Sequence, residues 1–273
     1  MQNATVITSV LQIIDRYLDA VPRSGSQDEA VGPFTLFRST TAATYYARPR
    51  LGLQAQIDAR DVTRLAERCA ELDLEVAIEG VAEVTPSLLS AAEAAGLNVT
   101  VHPLLYLDPA HLRPVAAPAG VTLRRLEADD PALILSWAVA EVAFGEGGVT
   151  VGRGGPAERD VQAVSAARAE LMYQRAAAGL AVNVGAFDPS DGLVSAGQHQ
   201  PIDGASEIMA VATLPYARRR GLAQAVTTTL VQDAHAAGVG LMLLSAQDDD
   251  VARVYERVGF ARVGHAVAVE RPA

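Results

Sequence analysis

Two segments of this 273-residue chain combine residue types and spacings that could hold an anion and move a proton. The first runs from Glu207 to Val226: a short apolar run, then Pro215, then Arg218-Arg219-Arg220-Gly221-Leu222-Ala223. Proline cannot extend a strand ladder, so a strand should end at Pro215. Leu222, Val226, Leu230 and Ala234 recur at helical spacing, so a helix should begin beside Gly221. A helix start leaves backbone N–H groups unpaired, and its dipole favours anions. Gly221 lets the backbone approach a ligand with no Cβ in the way, and Ala223 is nearly as small. Three arginines add charge beside that site. The segment suits a diphosphate. The plainer reading of the arginine run is a basic surface turn before a helix.

The second segment, Ser245 to Gly264, reads as a strand end, a short helix carrying Tyr255, and a turn at Gly259-Phe260 into a new strand. A phenol held near a reacting atom can donate a proton; the alternative for Tyr255 is a core aromatic. Glu207 opens the strand before the arginine loop. It lies an even number of residues from Met209, Val211 and Thr213, so in a regular strand all four share one face. The plain reading of Glu207 is a charge at a strand edge. Other chemistry finds little support. Cys69 is alone in an amphipathic stretch, the five histidines lack zinc-ligand spacing, and no dinucleotide or Walker loop occurs.

Together the two segments resemble the GNAT (general N-acetyltransferase) superfamily. Arg218-x-x-Gly221-x-Ala223 is similar to its Arg/Gln-x-x-Gly-x-Gly/Ala signature, Pro215-Tyr-Ala-Arg218 to the lead-in, and Tyr255-Glu-Arg-Val-Gly259-Phe260 to its Tyr-x-x-x-Gly-Phe signature. The resemblance covers about residues 121 to 270 in element order and 205 to 262 in motif detail. It implies a mixed, mostly antiparallel α/β (α+β) sheet flanked by helices, with acetyl-CoA as co-substrate and no metal. Val211, Ala212 and Thr213 would offer backbone groups to the pantetheine arm. The stretch Arg218, Arg219, Arg220, Gly221, Leu222 and Ala223 would hold the pyrophosphate. An amine on a small molecule or a protein would attack the thioester directly, with Tyr255 protonating the leaving thiolate and Glu207 in the position of the base, for which His199 and Glu146 are rivals. One departure stands out: Asp248 occupies a position where the family often has a coenzyme A-contacting Asn. An aspartate there fits a helix N-cap instead. A non-catalytic acyl-CoA sensor or scaffold is the rival from another class.

The elements that must position these residues can be read from periodicity. A helix is expected over 4–20, and a break from Pro22 to Gly32. Strands are expected at 34–37 and 44–47, a helix at 62–72 capped by Asp61, a strand at 75–78, a helix from Thr85-Pro86 to Ala95, and a strand at 99–107. A proline-bearing stretch, 108–120, reads as a linker. The domains are therefore drawn as 1–115 and 116–273. Beyond it come a strand at 121–126, a helix at 130–143, a Gly-rich loop at 145–155, and one long helix at 157–178 with Val161, Val164, Ala167, Leu171 and Met172 on a face. Strands follow near 180–187, 193–200 and 206–213, then a helix at 220–236, a strand at 241–245, a helix at 248–257 and final strands at 260–270. Residues 34–107 resemble half a GNAT domain without either signature, a degenerate repeat or accessory domain expected to support the acceptor site rather than bind cofactor. Acceptor choice should rest there and on residues 137–157, which include Trp137 and Phe144.

Composition narrows the class. Half the residues are apolar, a fifth are charged, lysine is absent, and the net charge is −10. That charge argues against nucleic acid as a partner and is compatible with a cationic amine. No run reaches the roughly 18 to 20 apolar residues of a membrane helix, and the N-terminus lacks a signal-peptide pattern, so a cytoplasmic location is the default expectation. A monomer and a homodimer fit equally well.

Overall fold

The computed structural model describes residues 2–39 and 45–272, with side chains from residue 6 onward. In chain order these form α1 (Gln2–Arg23), β1 (Ser26–Val31), β2 (Phe34–Ser39), β3 (Tyr45–Pro49), α2 (Ala59–Glu71), β4 (Ala77–Val81), α3 (Ser87–Ala94) and β5 (Asn98–Leu107). There follow β6 (Thr122–Leu126), α4 (Ala132–Gly145), α5 (Pro156–Asp160), α6 (Ala166–Ala177), β7 (Val182–Asp188), β8 (Gly192–Ile202) and β9 (Ala205–Thr213). The chain ends with α7 (Leu222–Ala236), β10 (Leu241–Ser245), α8 (Asp249–Glu256) and β11 (Ala261–Glu270). Two compact units result, one of Met1–Leu104 with Arg262–Ala273 and one of Leu105–Ala261.

In the first unit the strand order is β1-β2-β3-β4-β11. Only β3 and β4 run parallel; the other neighbours are antiparallel. Alternate strand residues Phe34, Leu36, Ala47, Ile78, Val267 and Val269 face Val62, Leu65 and Cys69 of α2 and Leu88, Ala91 and Ala92 of α3 in one core. Cys69 is thus a small core side chain. Asp58, not Asp61, caps α2. It accepts from the Arg60 and Asp61 N–H groups, and Asp61 returns a bond to the Asp58 N–H, a capping box.

The second unit has strand order β10-β9-β8-β7-β6. Its antiparallel pairs are β6–β7, β7–β8 and β8–β9, and β9–β10 is parallel. One core gathers Leu105 and Leu107 from the end of β5, Val139 and Val142 from α4, Val226 and Leu230 from α7, and Tyr255 and Phe260.

Several sequence expectations change. The break expected at 22–32 contains β1, an edge strand whose Gln27, Asp28 and Glu29 are polar on a solvent-facing hairpin; Arg68 of α2 pairs with Glu29 at 2.7 Å. Of the strand expected at 44–47, residues from Tyr45 onward are in β3, and Thr44 lies outside the described residues. The long helix expected at 157–178 is two. Pro156 opens α5, whose buried Arg159 donates to the Asp191 carbonyl at 2.8 Å and also binds the Leu193 carbonyl. Ser165 then caps α6 anew by accepting from Arg168 N–H. Val161, expected on one helix face with Val164, Ala167, Leu171 and Met172, is 78% exposed in the gap between them. The division between units falls inside β5 rather than at residue 115, and β11 returns to the first unit. The proline-bearing stretch 108–120 is tied into the second unit: Arg113 N–H donates to the Val258 carbonyl and Val115 N–H to the Thr228 hydroxyl.

Candidate functional site

The site begins where two parallel strands part. β9 and β10 pair only over Ala205–Leu241, Ser206–Met242 and Glu207–Leu243. Beyond Glu207 they diverge, and the gap is one wall of a cleft of about 430 Å³. A bulge in β9 aids the opening. Gln198 pairs with Met209 and Ala196 with Ala212, so Ala210 and Val211 together stand opposite Gly197. Ala210 takes φ +51°, outside the strand region. Gly197 makes room, for a Cβ there would lie 3.0 Å from the Val211 side chain.

The bulge overturns the expected shared face. Its extra residue reverses the alternation, so Glu207, Met209 and Ala212 share one face while Val211 and Thr213 are on the other. The Thr213 hydroxyl accordingly meets the Ser195 hydroxyl at 2.8 Å, inside the core of β8 and β9. Val211, Ala212 and Thr213 all line the cleft, as does Met209. Glu207 is not among the lining residues; it stands at the vertex, in the last paired position.

At the far end of β9 the chain turns through Pro215–Ala217, one turn of 3₁₀ helix, into the arginine loop. Arg219 and Gly221 both have left-handed backbone, φ +67° and +82°. This alternation turns successive N–H groups toward one concavity. The first backbone bond of α7 runs from Ala225 N–H to the Gly221 carbonyl, so the N–H groups of Leu222, Ala223 and Gln224 have no carbonyl partner within the helix. All three residues line the cleft, with Arg218, Arg219 and Gly221.

The three arginines do different work. The Arg218 guanidinium reaches back to the carbonyls of Ala143 (2.6 Å), Glu146 (2.8 Å) and Thr150 (3.2 Å). Burial pulls its pKa below the ordinary arginine value. Arg220 is absent from the cleft wall and pairs with Asp188 at 3.0 Å. Arg219 alone among them is exposed in the cleft with no ion-pair partner among the described residues.

Arg218 is one stitch in a seam that binds the Gly-rich loop to the turn. Gly152 N–H donates to the Pro215 carbonyl and Tyr216 N–H to the Gly154 carbonyl. The Glu146 carboxylate accepts from Arg153 N–H (3.0 Å) and Gly154 N–H (2.6 Å). Glycine is required here: a Cβ on Gly152 would lie 2.1 Å from the Glu146 carboxylate. Gly147, Gly148, Val149 and Phe144 thereby form the opposite wall of the cleft. Sequence reading missed this seam, because nothing local marks a 72-residue-distant arginine as the partner of three carbonyls.

Tyr255 lines the cleft from α8, packed edge-on against Phe260 with centroids 6.1 Å apart. Burial alone pushes its phenol above the usual value, so it holds its proton throughout the neutral range. Gly259 has φ +115°, and a Cβ there would lie 2.8 Å from the His111 carbonyl, which explains the glycine of the Tyr-x-x-x-Gly-Phe segment. Asp248 is the N-cap of α8, accepting from Val251 N–H at 2.9 Å. Ser245 and Gln247, unremarked in the sequence, line the cleft beside it.

The rival bases are engaged elsewhere. His199 is 1% exposed, between the Ser206 hydroxyl (2.9 Å) and Asp233 (3.2 Å), and burial lowers its pKa. Ser206 is wholly buried, so this Ser-His-Asp cluster meets no substrate. Both oxygens of Glu146 hold backbone N–H groups. Among the described residues, none of the cleft-lining side chains is a carboxylate or imidazole, and no cluster could hold a metal ion. No described helix is long and apolar enough to cross a membrane.

Residues 183–269 match the family model described as FR47-like protein. A search of curated proteins finds no match. Among solved structures, a GCN5-related N-acetyltransferase from Kribbella flavida is similar over 97% of this chain and 96% of its own, at TM-score 0.74 and 21% identity. A GCN5-related N-acetyltransferase from Sphaerobacter thermophilus is similar over 88% and 78%, at TM-score 0.61 and 17% identity. A tandem GNAT protein from the clavulanic acid biosynthesis pathway covers 86% and 77%, at TM-score 0.56 and 15% identity. These likenesses establish the fold, a mixed and mostly antiparallel sheet flanked by helices, and the FR47-like match is confined to residues 183–269 of that fold.

Proposed function

We propose that the Leu105–Ala261 unit is an N-acyltransferase that takes an acyl group, most simply acetyl, from coenzyme A and passes it to an amine by direct attack. The observation that carries this reading is the placement of an unpaired N–H cradle at Leu222–Gln224 and a protonated Tyr255 on the walls of one cleft, between strands that part at Glu207. The residues present fit the cofactor. The cradle and Arg219 suit a pyrophosphate, and the parted edge of β9 at Val211 to Thr213 offers backbone groups to an extended arm.

Bound acetyl-CoA would supply a thioester, an acyl group joined to a thiol leaving group. Leu222, Ala223 and Gln224 hold the diphosphate through backbone N–H groups, Gly221 leaves room for it, and Arg219 adds charge. Arg218 acts on the cleft indirectly, by holding the wall at Gly147 to Val149 against the loop. Tyr255 gives its proton to the sulfur as the bond to the acyl carbon breaks. Glu207 accepts the amine proton. Because it sits at the vertex and not in the wall, that proton passes through solvent.

The test is release of free thiol from acetyl-CoA in the presence of a broad panel of amines. Amine-dependent release by the natural protein, greatly reduced in Tyr255→Phe, supports the enzyme. Tight binding of coenzyme A with no release for any amine favours a sensor or scaffold instead.

A further inference from the structure

Resting on the coenzyme A reading of the cleft, we propose that Arg257 is the docking residue for the 3′-phosphate of the cofactor. Coenzyme A carries two separate anionic groups, a diphosphate and a ribose phosphomonoester. Three cationic side chains line the cleft: Arg218, Arg219 and Arg257. Arg218 is consumed by three backbone carbonyls. Arg219 belongs to the loop whose N–H groups take the diphosphate. That leaves Arg257, the residue that ends α8, exposed; its backbone N–H donates to the Tyr255 carbonyl, while its guanidinium has no ion-pair or hydrogen-bond partner among the described residues. Its helix neighbour Arg253 is already paired with Asp250. The two free cations thus come from different elements, α7's leading loop and α8's end, matching two anionic groups on one ligand.

The placement also accounts for the acidic run Asp248-Asp249-Asp250. Those residues open α8 and Arg257 closes it, about 12 Å away at 1.5 Å of rise per residue. The carboxylates favour the helix start and the cation its end, so the dipole is satisfied at both termini while only the cationic end is offered to a phosphate. A guanidinium can bind a phosphomonoester through two parallel N–H donors.

Calorimetric titration of the full chain with coenzyme A and with 3′-dephospho-coenzyme A tests this. The natural protein should bind coenzyme A about tenfold more tightly than the dephospho form, the size of one charge-assisted contact. Arg257→Gln should weaken coenzyme A by that same factor and leave the dephospho form unchanged. Arg219→Gln should weaken both ligands alike. Equal weakening of both ligands by Arg257→Gln, or no effect on either, would overturn the assignment. Failure of the natural protein to bind either ligand would instead contradict the coenzyme A reading on which it rests. Arg257 is exposed, and a matching Tm confirms that the variant is folded.

Discussion

Tyr255 and His199 show how burial assigns opposite work to two titratable side chains. Burial keeps the Tyr255 phenol protonated, and its place on the cleft wall gives that proton somewhere to go. Tyr255→Phe should lower kcat by about a hundredfold with little change in the KM for acetyl-CoA, measured by thiol release. Since its pKa is raised, no alkaline loss of rate from Tyr255 is expected below about pH 10. His199 is held neutral because burial outweighs its bond to Asp233. Its folded pKa lies below the unfolded value, so the folded state binds fewer protons. The resulting stability is present above about pH 6.5 and lost as pH falls through the folded value. Thermal melts should show Tm falling below that pH, with a shallower fall in His199→Gln.

At the scale of elements, the seam joining the Gly-rich loop to the arginine turn decides the cleft's shape. Arg218→Ala frees three carbonyls and should loosen residues 147–154. Arg153 is a tryptic site in that loop, and cleavage after it should be about tenfold faster in the variant. Unchanged cleavage would mean that Glu146 and Gly152 hold the loop without it. The end of β9 and the start of α7 were legible in the sequence, because Pro215, Gly221 and the apolar spacing of α7 are local signals. The bulge at Ala210–Val211 was not, since it depends on Gly197 of the neighbouring strand, and it moved Val211 and Thr213 off the face of Glu207. The same limit applied to the helix at 157–178. Its periodicity continues across a gap that Arg159 enforces by bonding carbonyls far along the chain.

The whole molecule divides inside β5, and its last strand belongs to the first unit. Composition and a proline-bearing stretch suggested a single cut near residue 115, because sequence shows turn-forming residues but not which strand a terminal segment will pair with. β11 closes the ladder on β4 and adds Val267 and Val269 to the first unit's core. Val267→Ala, at a site 2% exposed, should cost about 2 kcal/mol of stability by denaturant titration. Gly259→Ala acts in the other unit. There a left-handed φ and the close His111 carbonyl predict a loss of about 1–3 kcal/mol.

The central claim is that the cleft between the parted strands β9 and β10 binds coenzyme A through the backbone of the loop before α7. Calorimetric titration of acetyl-CoA into the natural chain and into Gly221→Val tests it most directly. At Gly221 a β-branched side chain is strained at φ +82° and stands in the cradle. The account predicts one site per chain in the natural protein and at least a tenfold weaker one in a folded Gly221→Val. No binding to the natural protein, or equal binding to both, would contradict it.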